Sequence, residues 1–308
     1  MRGMGRRAGL LMLVPVMALL GSCSSAAPAS PDTVASPDTS VSTGPDTVRV
    51  DVDKRPFALH VPTSYHQGTA VPLVVILHGY TSDGARQESY FKLTAQSEAR
   101  GFLYAMPDGQ RNQQGQRYWN GTDACCDFGN SGVDDSTYLS HLISTVERSY
   151  SVDRVFLIGH SNGAFMAIRM ACEHADQLTG IVGLNGAMWN DKSRCRPSRP
   201  VSFLDIRSVA DETILFAGGL NAGIPYPSAA TTDADWREFD NCSGQSTSSP
   251  PLDLVTTVAG AETDVTSWSC AGHSTVESWT IKNGTHSPAL SDAFAPGVVD
   301  FMYAQAQP

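Results

Sequence analysis

A serine bracketed by glycines, Gly159-His160-Ser161-Asn162-Gly163, lies between the apolar run Val155-Phe156-Leu157-Ile158 and a helix-like stretch, Ala164 to His174. A serine on so sharp a strand-to-helix turn has its hydroxyl forced outward, where it can attack an electrophilic carbonyl. Both glycines serve the turn, because a side chain on either flank would collide with the neighbouring strand or helix. The five residues alone are a weak pattern; the strand before them and the helix after them make it specific. A hydroxyl nucleophile also needs a base to take its proton and a carboxylate to hold that base.

Parallel sheets carry their sites at the carboxyl ends of the strands, and that rule sorts the remaining candidates. Among eight histidines, the order serine, acid, histidine that goes with such an elbow leaves His174, His273 and His286. His174 ends the elbow helix, roughly 20 Å from Ser161 at 1.5 Å per residue. His273 precedes the strand Val276–Ile281, at its wrong end. His286 follows that strand in the turn Asn283-Gly284-Thr285-His286 and is the expected base. The acid belongs in the loop after the strand Val201–Ile206, where Asp211 is the first choice and Glu212 and Asp205 are the alternatives. Backbone amides of Tyr80, after the strand Leu73–Leu77, and of Asn162 are placed to form an oxyanion hole. His160 and Trp119 are candidates for substrate contact. Trp119 reads equally well as a flat wall of an acyl pocket and as core packing.

These residues need a scaffold of alternating strands and helices. Val48–Val52 and Phe57–Val61 alternate like half-buried antiparallel strands at a sheet edge, whereas Leu73–Leu77 is a continuous apolar run suited to a central strand. A helix over Glu88–Arg100 and a strand over Phe102–Met106 come next. Asp134-Asp135-Ser136 supplies cap chemistry for a helix reaching about Tyr150. Beyond the elbow helix come strands at Ile181–Leu184 and Val201–Ile206, then a helix with Trp236 and Phe239 on one face. The strand Val276–Ile281 and a closing helix from about Ser291 to Tyr303 complete the chain. The alternation specifies an α/β fold, a mostly parallel sheet with helices on both faces, over residues 48–308.

The first 22 residues read as a signal peptide. Arg2, Arg6 and Arg7 precede an apolar stretch, Gly9–Leu20, too short to span a bilayer. Leu20-Gly21-Ser22-Cys23 resembles a bacterial lipobox, which makes Cys23 a lipidation site; ordinary cleavage nearby, with Cys23 discarded, is the other reading. Residues 23–47 are Ser-, Pro- and Thr-rich, with Pro-Asp-Thr at 31–33, 37–39 and 45–47, and read as linker. A formal net charge of −10 argues against nucleic acid or anionic lipid headgroups as partners, leaving an acyl anchor as the expected route to a membrane. Six cysteines remain beyond Cys23, an even number that favours disulfides in an exported protein. Cys172 with Cys195 and Cys242 with Cys270 are the expected pairs, leaving Cys125 and Cys126 as a vicinal bridge or as members of another scheme. No metal motif is present, and no cofactor or metal is expected.

Several stretches together carry a resemblance. They are Leu77-His78-Gly79, Tyr118-Trp119-Asn120 with Cys125-Cys126, Gly132-Val133-Asp134-Asp135, the Ser161 elbow, Ala210-Asp211 before Gly218-Gly219, and Gly284-Thr285-His286-Ser287-Pro288. From about Pro56 to Pro288 the chain resembles the bacterial esterase family of polyhydroxybutyrate depolymerases and carbohydrate-esterase-family-one feruloyl and acetylxylan esterases. The resemblance implies an α/β-hydrolase fold and a triad of Ser161, Asp211 and His286. It further implies an exported serine esterase acting on feruloyl or acetyl esters of plant polysaccharide or their oligomers. Short polyesters such as polyhydroxybutyrate are the alternative substrate, and a non-catalytic binding protein on the same scaffold is the remaining reading. Two departures bear on the substrate. Ile206-Arg207-Ser208-Val209 stands where such esterases usually have His-Gly-Thr, and no tryptophan accompanies Ser287-Pro288.

Overall fold

The computed structural model describes residues 46–306. The expected signal peptide, the Cys23 lipidation site and nearly all of the linker lie outside the described residues. The first half of the chain holds β1 (Asp46–Val52), β2 (Arg55–Val61), β3 (Val71–Leu77), α1 (Gly84–Phe91), α2 (Leu93–Arg100) and β4 (Leu103–Met106). A small hairpin of β5 (Gln110–Arg111) and β6 (Arg117–Tyr118) then leads to α3 (Asp135–Ser149), β7 (Val152–His160) and α4 (Asn162–Glu173). Next come β8 (Gly180–Leu184), β9 (Ser202–Ser208) and a second small hairpin, β10 (Gly219–Asn221) with β11 (Ile224–Tyr226). The chain closes with α5 (Ala229–Phe239), β12 (Thr247–Leu252), β13 (Thr263–Ser269), β14 (Thr275–Ile281) and α6 (Phe294–Ala304).

Ten strands form one sheet in the order β1-β2-β4-β3-β7-β8-β9-β14-β13-β12. The six from β4 to β14 are mutually parallel, and two antiparallel strands flank them on each side. Because successive side chains of a strand point to opposite faces, the central strands divide their apolar residues between two cores. Leu73, Val75, Leu77, Leu157, Ile181 and Phe203 pack on one face with α3, α4 and Trp236 of α5. Val74, Ile76, Phe156, Ile158, Val182 and Leu204 pack on the other with Phe91, Leu93 and α6. Apolar runs without alternation are what a sheet covered on both sides requires.

One expected element is corrected. The helix expected over Glu88–Arg100 is two helices, broken at Lys92, whose φ of 56° lies in the left-handed region. Glu88 compensates for the break: its carboxylate accepts from the amides of Leu93 (3.1 Å) and Thr94 (3.0 Å), the free donors at the start of α2. The edge strand β12 and its neighbour β13 have no counterpart in the sequence pattern. Asp134 does cap α3, accepting from Thr137 N at 3.0 Å. Asp135 is instead buried in an ion pair with Arg55 at 2.7 Å and accepts from Asn120 N. Disulfides join Cys172 to Cys195, Cys242 to Cys270 and Cys125 to Cys126. Among the described residues no helix is long and apolar enough to cross a membrane.

Candidate active site

Ser161 sits between β7 and α4 with φ 55° and ψ −121°, a conformation that an ordinary residue adopts only when its surroundings force it. The forcing is visible at the glycines. A Cβ at Gly163 would lie 2.0 Å from the Leu77 carbonyl oxygen, and one at Gly159 would lie 2.2 Å from Gly163 C. The Ser161 amide donates to Leu184 O at 2.8 Å, tying the turn to β8. Turn and helix are thereby pressed onto β3 and β8, and the hydroxyl is left facing the cleft.

The elements that end around this turn bring two further side chains to it. His286, after β14, has Nε2 at 2.8 Å from Ser161 Oγ and Nδ1 at 2.8 Å from Asp211 Oδ2. Asp211, after β9, is a fully buried carboxylate whose Oδ1 accepts from the amides of Thr213 and Ile214. Those bonds fix the carboxylate without taking the oxygen that faces His286. An Nδ1–H held by Asp211 leaves Nε2 unprotonated, the tautomer that can accept the serine proton. Asp205 is buried within β9 against Arg207, 3.8 Å away, and burial pushes its carboxyl well above the ordinary range; it faces no histidine. His174 bonds to Ser136, and His273 lies in the turn before β14.

The two amides expected to form an oxyanion hole belong to segments held from several sides. His78, buried, accepts from Gly109 N through Nε2, so its Nδ1–H donates to Gly79 O at 2.8 Å. Gln87 receives the Gly79 amide at 3.2 Å. Across the cleft, the Asn162 side chain bonds both backbone groups of Trp119, accepting from N at 2.7 Å and donating to O at 2.8 Å. No acceptor is paired with the Tyr80 or Asn162 amide among the described residues. Backbone donors pinned in place and left unpaired are what stabilise a developing oxyanion.

Trp119 is corrected as a pocket residue. Its ring is completely buried, 5.1 Å from the His78 ring, and it lines no part of the cleft at Ser161; its backbone, not its indole, serves the site by holding Asn162. His160 does line that cleft. Its Nε2–H donates to the His286 carbonyl at 2.9 Å, and burial lowers its pKa to about 4, so the ring stays neutral. Asn185, just beyond β8, donates to the same carbonyl at 2.9 Å and clasps Ser208 through both side-chain atoms. The sequence reading missed Asn185; a polar residue at the carboxyl end of a central strand was the available signal. The cleft encloses about 280 Å3 and is walled by Tyr80, Ser82, Gln87, Tyr90, His160 and Ser287 around Ser161 and His286.

Known proteins share this architecture. "Putative esterase NocK" of Nocardia uniformis subsp. tsuyamanensis is 28% identical over 252 residues, covering 71% of this chain and 67% of that one. "Feruloyl esterase B" of Piromyces equi is 23% identical over 207 residues, which are 64% of this chain but only 38% of the relative. The acetyl xylan esterase from Aspergillus awamori has the same fold, with a TM-score of 0.59 at 13% identity over 84% of this chain and 99% of that one. Residues 52–267 match the family model Esterase, described as "Putative esterase". The chain belongs to that esterase family, a carboxylic ester hydrolase on the α/β-hydrolase fold.

Proposed function

We propose that Ser161, His286 and Asp211 are a catalytic triad and that the enzyme hydrolyses carboxylic esters through an acyl-enzyme. The observation that carries this reading is the unbroken hydrogen-bond chain from Ser161 Oγ through His286 to the buried Asp211 carboxylate, opening on a cleft. Ser161 Oγ attacks the ester carbonyl while His286 Nε2 takes its proton. The amides of Tyr80 and Asn162 bind the oxyanion, and a removed donor of this kind costs about 3 kcal/mol of transition-state stabilisation. His286 returns the proton to the departing alcohol. A water activated by the same imidazole then releases the acid and restores Ser161. Asp211 keeps the imidazole oriented and stabilises its cationic form throughout.

The names of two similar proteins, a feruloyl esterase and an acetyl xylan esterase, support feruloyl or acetyl esters of plant polysaccharide as the substrate class. A cleft of about 280 Å3 suits one acyl group rather than a polymer chain. Three disulfides favour an oxidising compartment, in keeping with export. A surface lipoprotein anchored at Cys23 would place the enzyme where such substrates arrive. The test is hydrolysis of p-nitrophenyl acetate by the purified protein. Turnover is expected in the wild type and a loss of at least ~10^4-fold in Ser161→Ala. An inert wild type, or an alanine variant that keeps its activity, would overturn the reading.

A further inference from the structure

A second cavity, of about 190 Å3, adjoins the Ser161 cleft between the α1–α2 junction and the start of α6. Tyr90 alone among the described residues lines both spaces. It follows Gln87 by three positions on α1, so the two side chains leave the helix on one face, and Gln87 accepts from the Gly79 amide beside the nucleophile. The Tyr90 ring lies 5.3 Å from the ring of His160, which lines the cleft, and 5.3 Å from that of Phe91, which lines the cavity. Its hydroxyl donates to Pro288 O at 2.8 Å, two residues beyond His286, and burial pushes that hydroxyl well above its ordinary pKa, so it stays a neutral donor. Held from both sides and at its tip, the ring is a partition between the two spaces.

The lining of the cavity selects its occupant. Phe91, Leu290, Phe294, Ala295 and Pro296 give it apolar walls, with the Phe91 and Phe294 rings buried and 5.0 Å apart. Its charged residues and its serine are already paired: Lys92 Nζ meets Asp292 at 3.1 Å, and the Ser291 hydroxyl donates to Asp253 O at 2.8 Å. The gain on filling it therefore comes from apolar contact. An apolar cavity of roughly 150 Å3 takes a group the size of benzene, so this one suits an aliphatic chain of about six carbons.

We propose that Tyr90 sets the chain-length limit of this site: its ring bars an unbranched aliphatic chain of the ester from the apolar cavity beyond it. The proposal rests on the triad reading, because it assigns which esters that reaction accepts. It is tested by kcat/KM in two series. One lengthens the acyl part, from p-nitrophenyl acetate to the hexanoate and octanoate; the other lengthens the alcohol part, from methyl acetate to hexyl and octyl acetate. Within each variant, the ratio of the longest ester to the shortest cancels any general loss of active enzyme. Burying one methylene is worth about fourfold, so Tyr90→Ala is expected to raise that ratio about 10-fold or more in at least one series, which identifies the part of the ester that enters. Tyr90→Phe keeps the partition and should keep the wild-type ratio, although it loses the bond to Pro288. Adding Leu290→Trp to Tyr90→Ala refills the cavity and should bring the ratio back. A ratio that Tyr90→Ala leaves unmoved in both series overturns the proposal. An equal rise in Tyr90→Phe, or a double variant that keeps the gain, overturns it as well. The triad reading fails separately, through a wild type inert toward p-nitrophenyl acetate, and takes this proposal with it.

Discussion

His286 is held through its backbone as well as its ring. Its carbonyl accepts from His160 Nε2 and from Asn185 Nδ2, each at 2.9 Å, so the residue before Ser161 and the end of β8 together fix His286. A neutral hydrogen bond of this kind is worth about 1 kcal/mol, near a factor of five to ten in rate if the proposed base drifts when it is lost. His160→Phe is therefore expected to lower kcat about 10-fold, while His160→Gln, which keeps an N–H at similar reach, recovers most of it. Equal losses in both variants would mean that the bond to His286 is not what matters. The burial that brings the His160 pKa down from 6.5 to about 4 also has a sign for stability. Above pH 6.5 neither state is charged at this residue and nothing is lost. Between 6.5 and 4 only the unfolded chain takes the proton, so the native state loses stability as pH falls. The denaturation midpoint of His160→Gln should therefore fall less over that range than the wild type's. That Ser161, His286 and Asp211 would lie together was expected from sequence because each follows a strand, with Glu212 and Asp205 left as alternatives for the acid. The bonds of His160 and Asn185 were not, since their partner lies more than 100 residues away and no local pattern marks it.

At the scale of elements, the strand–turn–helix around Ser161 was readable because glycine spacing and apolar runs report backbone contacts directly. The break between α1 and α2 was not, because both helices follow one polar, helix-compatible stretch and the interruption comes from a tertiary partner. Tyr104, fully buried on β4, donates its hydroxyl to Glu88 Oε2 at 2.8 Å. That carboxylate thus serves three donors, two of them the leading amides of α2. Removing it strands a buried hydroxyl and two helix-start amides, at a combined cost of about 2–4 kcal/mol. Glu88→Ala should lower the free energy of denaturant unfolding by that amount. Glu88→Gln keeps one oxygen acceptor and should lose less than half as much. A Glu88→Ala variant as stable as the wild type would show that the break at Lys92 persists without its carboxylate.

Across the whole molecule, the sheet divides its labour between its two ends. The carboxyl ends of β3, β7, β9 and β14 supply the residues around Ser161, and the opposite end carries bonds that only hold the sheet together. The six parallel strands were largely legible from their apolar runs. The polar strand β12, Thr-Ser-Ser-Pro-Pro-Leu, was not, because an exposed edge has no core face to set an alternation. At the end remote from Ser161, Asp240 accepts from Val201 N at 3.2 Å, where the chain enters β9, and its own carbonyl accepts from Ala271 N. Burial raises its carboxyl from 3.8 to about 7. The native state therefore holds a proton that the unfolded chain releases between those values. Its stability falls as pH rises through that window, and the penalty is complete above pH 7. A shift of this size corresponds to at most about 4 kcal/mol. Asp240→Asn keeps an oxygen for Val201 and cannot ionise, so it should be more stable than the wild type by about 1–3 kcal/mol at pH 8. That advantage should shrink toward zero near pH 4, with esterase activity unchanged, because Asp211 lies at the other end of β9. Chemical denaturation of both proteins from pH 4 to 8 decides it: a gap that does not vary with pH would mean that Asp240 carries no buried charge.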